Sequence, residues 1–397
     1  MVASSKTRLR RARIVTPQRT IEDADLLIDS GVIARIFASS SNESIDAESE
    51  IDLRGLTLWP GFIDVHIHGA AGVDAMDAQA HDLRRVAEFL ARHGVTSWLP
   101  TLVPAQAEEY AQAIRAIEEL VNDGQRGDST SPGARALGVH YEGPFVNSAQ
   151  CGALHREYFR AFKTLTDLDT LPTIESRGAI HMMTLAPEVD GGIELISELN
   201  RRGWIVSIGH TRANRDALDE ARNAGARHMT HFMNAMTPLH HRDLGAVGWG
   251  LIHHDVTIDL IADGIHLDGE VLRLITRSKG IEGVSLISDS IAAAGQGDGD
   301  YKIWGENITV KDGRTANDRG SIAGSVITML DAVRLMLSLG FSEPEVAGMA
   351  SLNPARLLGI DHECGLIEAG KRADLVALDE DMNARLTVIG GAITHNS

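Results

Sequence analysis

Only two cysteines, Cys151 and Cys364, occur in 397 residues. Two isolated thiols are no disulfide framework and fit a reducing compartment, so a cytoplasmic protein is expected. No apolar run approaches the roughly 18 residues that a membrane-spanning helix needs. The N-terminus is basic, with Lys6, Arg8, Arg10, Arg11 and Arg13, but only Ile14-Val15-Thr16-Pro17 follows where an export signal requires a longer apolar stretch. Positive charge is scarce overall: 37 Lys and Arg stand against 55 Asp and Glu, a net charge of −18. A nucleic-acid binder carries a basic surface, so neither nucleic acid nor a membrane is expected as a partner. An anionic substrate gains no long-range steering from such a chain, and any phosphate site must rest on a few local donors. Short-period repeats and low-complexity segments are also missing.

What is present is ordinary globular composition, 43% hydrophobic and 23% charged, in a chain long enough for one large domain and a smaller one. Short β-like segments fill the first 58 residues, with a polar, loop-like stretch at 39–50. From Gly61 onward, apolar strand-like runs alternate with helical patterns, the rhythm of a parallel α/β fold. Leu83, Val86, Ala87 and Leu90 fall at helical spacing, as do Tyr110, Ile114, Ile117 and Val121. Eight strand candidates, at 62–68, 95–99, 136–141, 180–185, 204–208, 228–231, 256–262 and 284–288, predict a TIM-like (β/α)8 barrel. The barrel is expected over 59–366. Residues 1–58 and 367–397, both β-like, are expected to join in a small β-sandwich domain.

Reactive residues gather where these strands end. In Trp59-Pro-Gly-Phe-Ile-Asp-Val-His-Ile-His-Gly69, alternation puts His66 and His68 on one face of a strand, a spacing at which two imidazoles can grip one divalent ion. The third strand runs into Glu142, the fifth into His210, the sixth into His231, the seventh toward His266 and the eighth into Asp289. Barrel enzymes place their chemistry at these ends. His66, His68, Glu142, His210 and His231 form a nitrogen and oxygen donor set for Zn²⁺ or a similar ion, and Glu142 has two oxygens with which to bridge two ions. Asp289 is the candidate general base and then general acid, since a metal-lowered water still needs a proton acceptor. His140 lies on the Glu142 side of its strand, and His228 is read as a non-ligand.

The residues so far resemble one family. Pro60-Gly-Phe-Ile-Asp-Val-His-Ile-His68 is similar to the opening of amidohydrolase-superfamily barrels. His140-Tyr-Glu-Gly-Pro-Phe-Val-Asn147, Thr184-Leu-Ala-Pro-Glu188, Gly209-His-Thr211, Thr230-His-Phe-Met-Asn-Ala-Met-Thr-Pro238, Ala262-Asp-Gly-Ile-His266 and Ser288-Asp-Ser-Ile-Ala-Ala-Ala-Gly295 resemble, in order, the N-acetylglucosamine-6-phosphate deacetylases. The resemblance implies a hydrolase that releases acetate from a phosphorylated N-acetyl amino sugar. It implies a metal on Glu142, His210 and His231, with His66 and His68 matching those members that hold a second, so one or two ions per chain, and Asp289 as acid/base. Asn234, Ala235 and Arg242 match phosphate-contacting positions, and His266, Ile322 and His155 match positions on the sugar and its acetyl group. It also implies a homodimer. The ligand set suits Zn²⁺ first, with Fe²⁺ or Mn²⁺ as alternatives. The loop Cys151-Gly-Ala-Leu-His155 is one residue longer than the usual Gly-x-His, and Asp289-Ser-Ile replaces the usual Asp-Ala-Thr. Rival readings are the galactosamine counterpart, another N-acyl amidohydrolase such as a D-aminoacylase, and a non-catalytic scaffold of the same fold.

Overall fold

Eight apolar segments form eight parallel strands: β1 (Phe62–Ile67), β2 (Val95–Leu102), β3 (Gly138–Glu142), β4 (Ile180–Leu185), β5 (Ile205–Ile208), β6 (His228–Met229), β7 (Thr257–Ile261) and β8 (Val284–Ile287). Each pairs in parallel with the next, from β1 on β2 through to β7 on β8. The barrel closes between its last and first strands: Asp289 N–H donates to His66 O at 2.9 Å, and Ser288 Oγ donates to Asp64 Oδ2 at 2.6 Å. All eight segments expected to be strands are strands, which makes the chain a TIM-like barrel. This computed structural model describes residues 6–41, 46–125 and 133–397.

The helices outside the barrel follow from their apolar stripes. Leu83, Val86, Ala87 and Leu90 are all buried on one face of the helix Ala80–Arg92. Each Leu or Val so buried contributes roughly 1.5–3 kcal/mol. Tyr110, Ile114, Ile117 and Val121 do the same for the helix Ala107–Gln125. After β3 the pattern changes: three short 3₁₀ turns, Ser148–Gln150, Arg156–Tyr158 and Leu165–Thr170, stand where the barrel rhythm calls for a helix. The helical run 343–357 packs over the closing seam, where Ser351 Oγ donates to Pro60 O and Asn353 Nδ2 donates to Val284 O. Among the described residues, no helix is long and apolar enough to cross a membrane.

The two ends of the chain share one sheet of eight strands. Lys6–Val15 pairs with Thr20–Asp29 on one edge, and with Ser49–Asp52 and Thr57–Pro60 on the other. Thr57–Pro60 continues into Leu375–Leu378, Ala384–Ile389 and Ala392–Asn396. The sheet wraps around its own apolar cluster, which includes Leu9, Ile14, Leu26, Ile28, Leu375 and Val388. Its ends meet where two turns touch: a Cβ on Gly31 would sit 2.7 Å from Gly390 O, at a φ of +81° that glycine tolerates best. The arginines of the first strand are paired: Arg8 with Asp25, Arg10 with Glu50, Arg11 with Asp52, and Arg13 with Glu22 and Glu343. Within the polar stretch 39–50, residues 42–45 lie outside the described residues, and Ser49 and Glu50 begin a strand.

One feature had no counterpart in the reading of the sequence. After β8, Gly299–Ile303, Glu306–Lys311 and Arg314–Asn317 form a separate three-stranded antiparallel meander. Its first hairpin tip, Trp304-Gly305, has both residues in the left-handed region. That geometry suits a tight two-residue turn.

Candidate active site

Each barrel strand runs out into a loop at the same end, and six side chains from β1, β3, β5, β6 and β8 converge there. Glu142 Oε1 lies 2.9 Å from His210 Nε2 and 3.0 Å from His231 Nε2, and these two nitrogens are 3.1 Å apart. Glu142 Oε2 lies 3.4 Å from His68 Nε2, and Glu142 Oε1 lies 3.7 Å from His66 Nε2. His66 Nε2 and His68 Nε2 are 3.3 Å apart. Asp289 Oδ1 approaches His66 Nε2 at 3.4 Å and His68 Nε2 at 3.3 Å. Two overlapping groups, His66–His68–Glu142 and Glu142–His210–His231, each have the closeness a single ion requires, and all five residues are buried.

Hydrogen-bond partners fix which ring nitrogens face inward. His68 Nδ1 faces Thr101 O at 3.2 Å and His210 Nδ1 faces Gln150 O at 2.7 Å. A carbonyl only accepts, so these Nδ1 atoms carry hydrogens, and in the neutral form of either ring the Nε2 lone pair turns inward. His231 Nδ1 is buried and finds no partner among the described residues. Lone pairs crowded around a carboxylate repel one another unless a cation lies among them. This donor set therefore fits a divalent ion bound by nitrogen and oxygen.

Burial and the neighbouring carboxylates pull in opposite directions here, and the carboxylates win at His68, which is raised. Burial pushes His66 well below its ordinary range and His140 down to about 4, so both are neutral imidazoles near pH 7. Burial opposes ionisation of Glu142, but its close contacts with the His210 and His231 rings hold it well below the usual carboxylate range. Burial also opposes a charge on His231, yet the Glu142 hydrogen bond and the charges of Glu142, Asp289 and Asp259 outweigh it and raise it to about 9. The pocket thus draws positive charge, if only a proton.

The local backbone is under strain in the same place. His210, His231, Ala235 and Asp289 all have positive φ, at 46°, 29°, 51° and 50°. Non-glycine residues held there cost about 1–3 kcal/mol each and persist where the surroundings over-determine them. Here Asn147 N–H donates to His210 O at 3.0 Å, His231 N–H donates to Asp259, and Ser325 N–H donates to Asp289 O at 2.7 Å.

The other candidate residues fall around this cluster. Asn234 and Ala235 form the turn after His231, where Asn234 Nδ2 donates to His231 O and Ala235 O accepts from Thr211 N–H. Arg242 lies farther along that loop, exposed, and lines a cavity with Arg215, His240 and His241. His266 is tied through Nδ1 to Asp263 at 2.6 Å. His155 Nδ1 lies 3.2 Å from Glu157, and its Nε2 stands 3.7 Å from Glu306 of the meander. Ile322 lies in the segment between the meander and Ser325, which is stitched to Asp289 and Ile291. Cys151 is buried and accepts a hydrogen bond from Arg156 Nε at 3.1 Å.

Several residues at the site escaped the sequence reading. Asp64 shares the inward face of β1 with His66 and receives Ser288; the alternation that picked out His66 and His68 also passes through it. Glu188 accepts from Asn147 Nδ2 at 2.8 Å, Thr211 Oγ1 at 2.6 Å and Arg212 N–H at 2.5 Å, joining the loops after β3 and β5. Trp304, from the unforeseen meander, packs edge to face on His68 with ring centroids 5.1 Å apart.

A barrel with buried imidazoles and carboxylates at its strand ends defines a metal-binding barrel enzyme. The chain belongs to the amidohydrolase family, whose model matches residues 57–394. It is 37% identical over 384 residues to the N-acetylglucosamine-6-phosphate deacetylase of Bacillus subtilis (strain 168), covering 96% of this chain and 95% of that one. It is also 37% identical over 386 residues to the N-acetylgalactosamine-6-phosphate deacetylase of Escherichia coli O157:H7, covering 97% and 98%. In three dimensions it resembles the crystal structure of N-acetylglucosamine-6-phosphate deacetylase from Pasteurella multocida, with a TM-score of 0.89 at 30% identity, covering 98% of this chain and all of that one.

Proposed function

We propose that this chain is a metal-dependent deacetylase that hydrolyses N-acetyl-D-glucosamine 6-phosphate to D-glucosamine 6-phosphate and acetate, a step of amino-sugar breakdown. The observation that carries the reading is the buried five-ligand pocket with Asp289 beside it, in a chain similar over nearly its whole length to deacetylases of this substrate class. A second reading, the galactosamine epimer, is favoured by one finding: a relative of that activity is as similar as the glucosamine one.

On this reading, Glu142, His210 and His231 would hold one divalent ion, and His66 and His68, with Glu142, would hold another. Zn²⁺ suits the donors best; Fe²⁺ and Mn²⁺ are the alternatives. Such an ion supplies Lewis acidity toward the amide carbonyl and acidifies water. Asp289 receives at Oδ1 the proton of the attacking water. It returns that proton to the departing sugar nitrogen, so one carboxylate serves both halves of the reaction. Arg242, with the Asn234-Ala235 turn, holds the phosphate away from the reacting amide, and His266, Ile322 and His155 orient the sugar and its acetyl group. That remote binding is used to aim the amide at the pocket.

The test is acetate release from the N-acetyl 6-phosphates of glucosamine, galactosamine and mannosamine, with metal content measured on the same sample. Fastest turnover of the glucosamine compound is expected. Faster turnover of the galactosamine compound selects the second reading, and no acetate from any of the three overturns both. Sedimentation is expected to give a homodimer, twice the 42.8 kDa chain mass.

A further inference from the structure

Beneath the ligand pocket lies a buried polar chain that the reaction does not consume. His66 Nδ1 is 2.9 Å from Thr230 Oγ1, and Thr230 Oγ1 is 3.4 Å from Asp259 Oδ2. The same Oδ2 is 2.9 Å from His228 Nε2, while Oδ1 accepts the backbone N–H of His231. His66, Thr230, Asp259 and His228 are each fully buried. The four residues come from β1, from β6 and the residue after it, and from β7; β1 is not a sheet neighbour of the other two, so the closed barrel is what brings them together.

Hydrogen counting gives the chain a direction. An ionised carboxylate only accepts, and a threonine hydroxyl has one hydrogen to give. If Thr230 donates it to Asp259, the hydroxyl accepts from His66, whose hydrogen then sits on Nδ1. His66 Nε2, the atom 3.3 Å from His68 Nε2, is left with its lone pair toward the pocket. The opposite orientation would put a hydrogen on Nε2, where no metal can be bound.

We infer that Thr230 is a positioning residue that fixes His66 in its metal-binding tautomer, and that Asp259 is the carboxylate behind it. Asp259 also holds the backbone of His231, so one buried carboxylate touches both halves of the pocket. Of the ligand side chains, Thr230 Oγ1 bonds His66 alone, so it serves the His66–His68 half. This inference rests on the two-ion reading above. Partners of this kind typically change metal affinity 10–100-fold.

The test is titration of the metal-free full-length chain with Zn²⁺ alone, in competition with a chromophoric chelator. The wild type is expected to take up two ions. Thr230→Val, which keeps the shape and removes the hydroxyl, is expected to weaken one ion about 10–100-fold and the other by less than about threefold. The weakened ion is the one lost in His66→Ala, and Thr230→Ser is expected to restore it. Asp259→Asn, a second route if the valine variant folds poorly, is expected to weaken both ions. Wild-type binding of both ions by Thr230→Val, or equal weakening of both with no rescue by serine, overturns the positioning role. Uptake of fewer than two ions by the wild type overturns the two-ion reading instead.

Discussion

Asp289→Asn separates proton transfer from metal binding. The substitution keeps the size of the side chain and replaces one carboxylate oxygen with an amide nitrogen, which has no lone pair to take a proton. Residue 289 has φ 50°, a left-handed conformation that asparagine tolerates as well as aspartate does. The backbone contacts that hold it, to His66 O and from Ser325 N–H, are indifferent to the side chain. Fold and loop geometry therefore survive. Glu142, His210 and His231 meet one another without Asp289, so their ion is expected to stay. What is lost is the general acid and base, worth roughly 10²–10⁴ in rate, or about 3–5.5 kcal/mol of barrier at 1.36 kcal/mol per tenfold. The assay is acetate release under saturating substrate, with metal content and melting temperature taken on the same preparation. Turnover within about tenfold of wild type, with metal retained, would refute the assignment of Asp289.

Other outcomes test other parts of the account. Arg242→Ala is expected to lower kcat/KM for the 6-phosphate by roughly 10- to 150-fold, the worth of about 1.5–3 kcal/mol for a hydrogen bond to a charged group, and to leave the unphosphorylated N-acetyl sugar nearly unchanged; equal losses on both would exclude a phosphate role. Gly324→Ala would bring a Cβ to 2.8 Å from Asp289 O and 2.7 Å from Ile291 Cγ2 at φ +56°, so kcat is expected to fall while the metal stays, and an unaffected kcat would show that this segment does not set Asp289. Asp25→Asn is expected to destabilise the terminal sheet by about 3 kcal/mol in chemical denaturation, because it breaks a buried pair with Arg8. Burial raises the Asp25 carboxyl, but Ser39, the Arg11 N–H and Arg8 together leave it below its ordinary value. Its contribution is therefore present above the unfolded value of 3.8 and is lost as pH falls through the lower folded value, so the gap between wild type and variant should narrow in that window.

The barrel was legible in the sequence because its strands are short apolar runs set between helices with clear stripes, a pattern that needs no tertiary information. His66, His68, Glu142, His210, His231 and Asp289 were legible for a related reason: each stands where an apolar run stops. The meander at 299–317 was not. Its strands mix Lys302, Glu306, Asn307 and Arg314 with few apolar residues, since it packs one face on a small cluster around Ile303, Ile308 and Val310. Trp304 therefore gave no sign that it would meet His68. Thr230 and Asp259 were hidden differently. Both lie within segments read as strands, and only the closed barrel brings His66 of β1 within reach of them and shows what they hold. The pairing of the arginines from Arg8 to Arg13 was not legible because their partners, Asp25, Glu50, Asp52 and Glu343, are distant in sequence.

The central claim is that this pocket holds a divalent ion for amide hydrolysis. Acetate release from N-acetyl-D-glucosamine 6-phosphate, followed as the metal-free chain is reloaded with Zn²⁺, tests it most directly. No acetate is expected from the metal-free chain, and the rate is expected to rise in step with bound ion. Full acetate release by a chain shown to carry no metal would contradict it.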